Sequence, residues 1–353
     1  MNESLKNLQL QAGAIFEADV PVSFGNETEA MKAAKSGVAI CDRSSWGLIK
    51  VTDSDRLQFL HNQSTNNLNA LKPNQGCDTV FVNSTGRTID LATVYITEDS
   101  VLLLISPNRR QTILQWLDKY LFPMDRVKLT DITNQYSIFS LIGQDSDRLL
   151  NQLNADTIIG QEKHSHSVLD LNGMNVRVAM GNGLELPGYT LITPAENAAT
   201  LWSQLTNLGA IPMGDRSWET LRIQQGRPAA DQELTEDYNP LEAGLWKAIS
   251  FNKGCYIGQE TIARLNTYKG VKQRLWGLKL NAPVETGIPI TVNDEKVGLL
   301  TSYTQVDDDY IGLGYVRTKA GGEGLTVKVG EAEGELIPVP FLTHEYYEAE
   351  KDK

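Results

Sequence analysis

Cysteine is scarce in this sequence. Cys41, Cys77 and Cys255 are the three in 353 residues, too few and too scattered for a disulfide framework or a four-cysteine metal site. Long apolar runs are missing as well. The most apolar stretch, Val101 to Ser106, falls far short of the ~20 residues that cross a bilayer. The first twenty residues carry Glu3, Glu17 and Asp19 and no sustained apolar segment, which predicts no secretory signal. Basic charge is in deficit, with 32 Lys+Arg against 44 Asp+Glu and a net charge of −12. That balance argues against a general nucleic-acid binder or an anionic-membrane protein. No G-x-x-x-x-G-K-[ST] or G-x-G-x-x-G loop occurs, which removes the usual nucleotide folds. A reducing, cytoplasmic setting is expected.

What is present is globular. Hydrophobic residues make up 41% and charged residues 22%, an ordinary balance for a folded chain. The length exceeds what one core holds, so two or three modules are expected. Up to about residue 270 helices and strands are mixed, which favours α+β over a doubly wound sheet. Asp53 or Ser54 caps a helix over 55–63, and Asp78 to Val82 with Thr88 to Ile96 forms a hairpin turning at Asn83-Ser84-Thr85-Gly86. Helices are expected over 110–120, 146–153, 196–208 and 218–225, and strands over 136–142 and 174–180. From Lys272 short alternating segments separated by Gly and Pro turns predict a small antiparallel barrel or sandwich. The division expected is a region 1–270, with two subdomains split near 130–140, and a module 271–353.

Three places carry chemistry. The strongest is Lys253-Gly254-Cys255-Tyr256-Ile257-Gly258-Gln259-Glu260, where two glycines bracket a cysteine in a loop entering a helix over 259–265. A thiol there lies near the positive end of a helix dipole and near Lys253, which favours a thiolate. The competing reading is a glycine-permitted turn around a small buried cysteine. The second place is Asp90. Thr88, Asp90, Ala92, Val94 and Ile96 share one strand face, so the carboxylate stands at the margin of a core and must be bonded, paired or open to a cleft. Its competitor is an aspartate bonding the turn at Gly86 and Arg87. The third is Glu242 in Asn239-Pro240-Leu241-Glu242-Ala243-Gly244-Leu245-Trp246. Its two oxygens suit the N–H edge of a purine or pterin, or else satisfy the first turn of a helix. His164-Ser165-His166 is weak as a metal site and reads better as solvated histidines. A Cys–His hydrolase pairing Cys255 with the remote His61 or His344 has nothing to orient it. No metal ligands are assigned.

Lys253 to Glu260 resembles the K-G-C-[FY]-x-G-Q-E signature of the YgfZ family, folate-dependent proteins that support iron–sulfur cluster assembly or repair. They are relatives of the glycine-cleavage T-protein, an aminomethyltransferase. The resemblance runs from about Ala34 to Arg317. Asp42 to Leu60 resembles the segment opening with D-x-S, and Asn83 to Asp90 the N-x-x-G-G-x-x-D-D hairpin. Leu221 to Gly226 resembles L-R-L-E-A-G, and Pro240 to Leu245 resembles P-x-E-A-G-L. Val297 to Ser302 and Ile311 to Arg317 resemble pieces of the family's C-terminal barrel.

The resemblance implies an α+β, T-protein-like folate-binding region of two intertwined subdomains plus a C-terminal antiparallel β-barrel. It implies tetrahydrofolate, or a derivative, as cofactor, with Asp90, Glu242, Arg222, Gln224, Lys253, Tyr256 and Gln259 binding it. Cys255 and Asp90 are then the catalytic candidates. The favoured function is a tetrahydrofolate-binding accessory factor for iron–sulfur proteins, whose partners are iron–sulfur client or assembly proteins. The alternative is a folate-dependent aminomethyltransferase or demethylase of the T-protein type. Three departures bear on that choice: Leu91 stands where the hairpin has its second aspartate, Arg87 where it has its second glycine, and Gln224 where L-R-L-E-A-G has its glutamate. Fewer acids weaken aminomethyl transfer, which needs positioned acid–base groups.

Overall fold

A computed structural model describes residues 3–348. The described residues divide into two compact units, one built from 3–56, 70–77 and 93–221, the other from 57–69, 78–92 and 222–348.

The first unit holds a six-stranded sheet in the order His166–Leu171, Met174–Met180, Gly188–Pro194, Tyr136–Ile142, Ala39–Asp42, Ile211–Met213. Its pairs are antiparallel except the last, which is parallel. All four residues of Ala39–Asp42 are buried, as befits a short apolar strand flanked on both sides and covered on both faces. In a second group of strands, Gly47–Thr52 lies antiparallel between Ser100–Ile105 and Lys128–Asp131. One core gathers Phe139, Leu141, Leu191 and Leu201, where Phe24 and Trp202 stack at 6.3 Å. A second gathers Trp46, Leu48, Leu104 and Trp218. Asp42 and Ser44 of the D-x-S segment do local work. Asp42 Oδ1 accepts from the Ser44 N–H at 2.9 Å, and Ser44 Oγ accepts from the Ile138 N–H at 3.1 Å.

The second unit contains a closed six-stranded antiparallel barrel. Its order is Gln273–Leu280, Asp309–Arg317, Glu295–Val306, Pro289–Val292, Thr326–Val329, Ala332–Ile337, with the last strand back on the first. Alternate residues fill it, among them Leu278, Ile290, Leu300, Val316, Val327 and Leu336. The barrel begins at Gln273, where the change of texture puts it. A separate core in the same unit joins Val80, Val82 and Leu91 to Leu241, Ile262 and Leu275.

The units do not follow the expected 1–270 and 271–353 division, and no cut falls near 130–140. The reason lies in the hydrogen bonds that tie residues 222–250 to the barrel and the segment beyond it. The Phe341 N–H donates to Gln225 O, the Thr343 N–H to Gly244 O, and the Tyr315 hydroxyl to Glu233 O at 2.8 Å.

Most predicted elements stand within two or three residues of their expected ends. Sequence pattern misses the helix Glu3–Gln11, which buries Leu5 and Gln9 alone, and the strand His166–Leu171, whose burial alternates through polar residues. The histidine pair is corrected by the same strand: His166 is fully buried, not solvated. It stands edge-on to Tyr95 at 5.2 Å, and burial takes its pKa down to about 4.

Candidate functional site

Every site residue expected from the sequence lies in the second unit. Its centre is the Asn83–Arg87 turn, which the chain contacts from two directions. On one side is the glycine-bracketed loop. Gly258 has φ +80°, and a Cβ there would stand 2.6 Å from Asn83 O and 3.0 Å from Gly86 Cα. Gly86 returns the approach, since its Cβ would meet Gly258 O at 3.3 Å. Both positions need glycine for backbone conformation and for closeness. On the other side is the 236–242 loop. Asn83 donates to Glu236 Oε2 at 2.7 Å, Arg87 donates to Asp237 O at 2.7 Å, and the Thr88 N–H donates to Tyr238 O at 2.9 Å. Tyr238 stacks on Tyr315 with centroids 3.5 Å apart.

Asp90 follows two residues later on the strand Thr88–Ile96, all of whose residues are buried. It has no exposed surface, so it stands inside the core rather than at its margin. Leu91, where a second acid is absent, is packed with Val80 and Val82. A carboxylate at that position would be buried among hydrocarbon.

Glu242 is 6% exposed. Its Oε2 accepts from the Asn239 N–H at 3.0 Å and sits 3.5 Å from Arg87 Nη1. Asn239 Oδ1 in turn accepts from the N–H groups of Leu241 and Glu242. Burial raises the Glu242 pKa, opposed by the Asn239 N–H, Arg87 and Gln273. The turn-satisfying reading of Glu242 is therefore what the structure displays, and Arg87 takes part in it. The sequence marks Arg87 as a cation in place of a turn glycine but does not pair it with Glu242.

Arg222 is the largest fully buried side chain. It pairs with Glu233 at 2.8 Å, donates to Ser302 Oγ at 2.7 Å and to Gln232 Oε1, and both partners of the ion pair have 0% exposure. Ser302 and Thr301 hydroxyls donate to the other Glu233 oxygen, each at 2.6 Å. Within the second unit this network ties Arg222 and Glu233 to the barrel strand Glu295–Val306. The structure thus commits the Arg222 guanidinium to the frame. Glu233 lies in no motif and Ser302 ends a barrel segment that carries no assigned role, so only their three-dimensional proximity to Arg222 reveals them. Gln224, two residues on, is half-buried.

The K-G-C loop spends most of its polar groups internally. The Lys253 ammonium is buried and donates to the carbonyls of Ser64 at 2.6 Å, Asn66 at 2.9 Å and His61. The His61 carbonyl is among those the helix Arg56–Gln63 leaves at its C-terminal end, Ser64 and Asn66 follow it, and a cation satisfies all three. Lys253 therefore turns toward carbonyl oxygens, where the sequence reading had it activating the thiol. Tyr256 is buried 4.8 Å below that ammonium, and burial raises its phenol pKa. The Tyr256 N–H donates to Gln259 Oε1 at 3.3 Å, and the Ile257 N–H to Asn62 O at 3.2 Å. Cys255 is exposed, which sets aside the reading of a small buried cysteine. His61 is closer to this loop than its sequence position suggests: its Nε2 lies 3.8 Å from the Cβ position of Gly254. Burial first, and then Lys253, lowers the His61 pKa.

The expected folate ligands thus sort into two groups. Arg222, Lys253, Tyr256 and Gln259 are spent on holding the protein together. Glu242 is likewise held by its own loop; Asp90 and Gln224 are the others, and their acceptor and donor chemistry suits a pterin edge. Among the described residues no cluster of His, Cys, Asp and Glu is arranged to hold a metal ion, and no helix is long and apolar enough to cross a membrane.

Residues 1–253 match the GCVT N-terminal domain family. A chloroplastic protein of Arabidopsis thaliana named as a transferase is 45% identical over 348 residues, 98% of this chain and 81% of that protein. An aminomethyltransferase of Halalkalibacterium halodurans is 29% identical over 341 residues, covering 93% of this chain and 92% of the other. The crystal structure of glycine cleavage system aminomethyltransferase T from Bartonella henselae superposes with a TM-score of 0.86 at 19% identity. It covers 98% of this chain and 99% of that one, and the fold is therefore that of the T-protein.

Proposed function

The chain belongs to the GCVT N-terminal domain family, and from that premise we propose that it binds tetrahydrofolate and uses it in one-carbon transfer of the aminomethyltransferase kind. The observation that carries this reading is Asp90, a carboxylate withdrawn from water on the strand after the hairpin. Burying an acid is costly, and orienting a ligand's N–H or moving its proton gives an acid at that place a use. Tetrahydrofolate, when bound, supplies a nitrogen that carries the one-carbon unit. Asp90 orients that part of the ligand and holds or takes a proton at its carboxylate. Gln224 offers one donor and one acceptor without charge. Glu242, held by Asn239 and Arg87, fixes the loop opposite the hairpin.

A second reading has its own observation. Cys255 is exposed, while Lys253, Tyr256 and Gln259 around it are committed to backbone or burial. A loop built this firmly around one surface thiol suits an accessory factor for iron–sulfur client or assembly proteins. In that reading the thiol of Cys255 meets a partner protein.

One set of variants separates the two. Wild type, Asp90→Asn and Cys255→Ala are compared for tetrahydrofolate binding by calorimetry and for rescue of an iron–sulfur enzyme in cells lacking this protein. One-carbon transfer predicts that Asp90→Asn abolishes function while Cys255→Ala keeps it. The accessory reading predicts that Cys255→Ala loses rescue with folate affinity intact. Absence of any tetrahydrofolate binding by the wild type would refute both.

A further inference from the structure

The first unit contains a cavity of about 250 Å³ that plays no part in the reading above, and all its lining residues belong to that unit. Two cations reach it. Lys50 comes from the strand Gly47–Thr52, and Arg177 from the strand Met174–Met180. Asp99 also lines the cavity, accepting from Ser100 Oγ at 3.0 Å and Thr97 Oγ1 at 3.1 Å, with Lys50 Nζ paired at 3.7 Å. The two hydroxyls, more than the ammonium, lower the Asp99 pKa.

Arg177 is in a different position. It is mostly buried, and burial lowers its pKa, with Asp99 helping only as a longer-range charge. Among the described residues no carboxylate lies within 4.0 Å of its guanidinium. Its hydrogen bond is to His166 Nδ1 at 2.8 Å. Arginine only donates, so that ring nitrogen is an acceptor and the imidazole is neutral. Burial agrees, holding the His166 pKa at about 4. A neutral ring orients the guanidinium without neutralising it. Apart from Asn175, the rest of the wall is mostly apolar, with Leu102, Ile192 and Val168 on it. Val168 and Ile192 are the cross-strand neighbours of Arg177.

We propose that this cavity is a binding site for a small organic carboxylate, anchored by the Arg177 guanidinium with its hydrocarbon body against Leu102, Ile192 and Val168. A planar fork of N–H donors matches two carboxylate oxygens, and the apolar wall takes the remainder of the molecule. Lys50, attached to Asp99, adds field without a second fork. The site lies in the unit that does not contain Asp90, Glu242 or Cys255, so its failure leaves the folate reading untouched.

Benzoate and inorganic phosphate are the probes, titrated calorimetrically into the full chain near neutral pH. Benzoate is expected to bind, and phosphate at least tenfold more weakly. Arg177→Gln is expected to weaken benzoate by tenfold or more. Val168→Trp, a change at a half-exposed position, keeps the cation and fills the space, and is expected to abolish binding. It also covers the case in which Arg177→Gln fails to fold. Phosphate binding as tightly as benzoate, benzoate unaffected by either variant, or no heat from benzoate at millimolar concentration overturns the proposal.

Discussion

Arg222 offers the sharpest test of whether a residue serves a ligand or the frame. Its guanidinium and the Glu233 carboxylate are both fully buried and 2.8 Å apart, with Ser302 and Gln232 accepting from Arg222 and the Thr301 hydroxyl donating to Glu233. Arg222→Leu removes the cation and leaves Glu233 charged in a dry site. Breaking a buried pair from one side costs about 3–5 kcal/mol, whereas replacing both partners with apolar groups is often near neutral. For a unit of this size that loss lowers the melting temperature by on the order of 10 °C. Calorimetric melting and urea midpoints of Arg222→Leu, Glu233→Leu and the double variant read it out. The expected pattern is two destabilised single variants and a double variant that recovers at least half of the loss. Tetrahydrofolate affinity, measured on whatever remains folded, is expected to change little. The reasoning is refuted if Arg222→Leu melts like the wild type but no longer binds folate.

Two further predictions follow from buried groups and close backbones. His166 and His344 both have pKa values lowered by burial to about 4, so the unfolded chain binds more protons than the folded one between about 6.5 and 4. Stability is therefore full above about pH 6.5 and falls toward pH 4, by about 3 kcal/mol for each histidine; urea midpoints across that range, compared with His166→Gln, check it, and an unchanged slope in the variant counts against it. Gly258→Ala places a Cβ 2.6 Å from Asn83 O at φ +80°, and strain plus overpacking should cost about 2–4 kcal/mol. A melting temperature equal to the wild type's would show that the hairpin and the loop are not packed as described.

The sequence disclosed those features whose cause is local. The Asn83-Ser84-Thr85-Gly86 turn is a short-range signal, and the hairpin stands where it predicts. The barrel strands alternate between Gly turns and were readable for the same reason. Motif residues could be listed, but not their occupation. Lys253 beside a cysteine suggests an activated thiol, and nothing along the chain says that a helix end and the residues after it, some 190 residues earlier, offer it three carbonyls. Arg222 in a family-like motif suggests a ligand, and its partner Ser302 lies 80 positions away. Burial of Asp90 was likewise hidden, because period-two alternation describes a strand with one dry face and this one has two.

These placements change what a loss of function would mean. In the K-G-C loop, Lys253, Tyr256, Gly258 and Gln259 each hold a neighbouring backbone segment or the loop itself, so substituting any of them moves Cys255 as well as removing a side chain. A defect in such a variant therefore reports on the position of the thiol and not on chemistry at the substituted residue. Cys255, being exposed, can be changed to alanine with those hydrogen bonds left in place and no buried side chain removed. The same logic separates Asp90 from Glu242. Asp90→Asn keeps volume and removes charge inside the core, whereas Glu242→Gln disturbs a carboxylate that accepts from Asn239 and faces Arg87. Loss of function with normal stability in Asp90→Asn, set beside loss of function with lowered stability in Glu242→Gln, would assign the first residue to the ligand and the second to the loop that frames it.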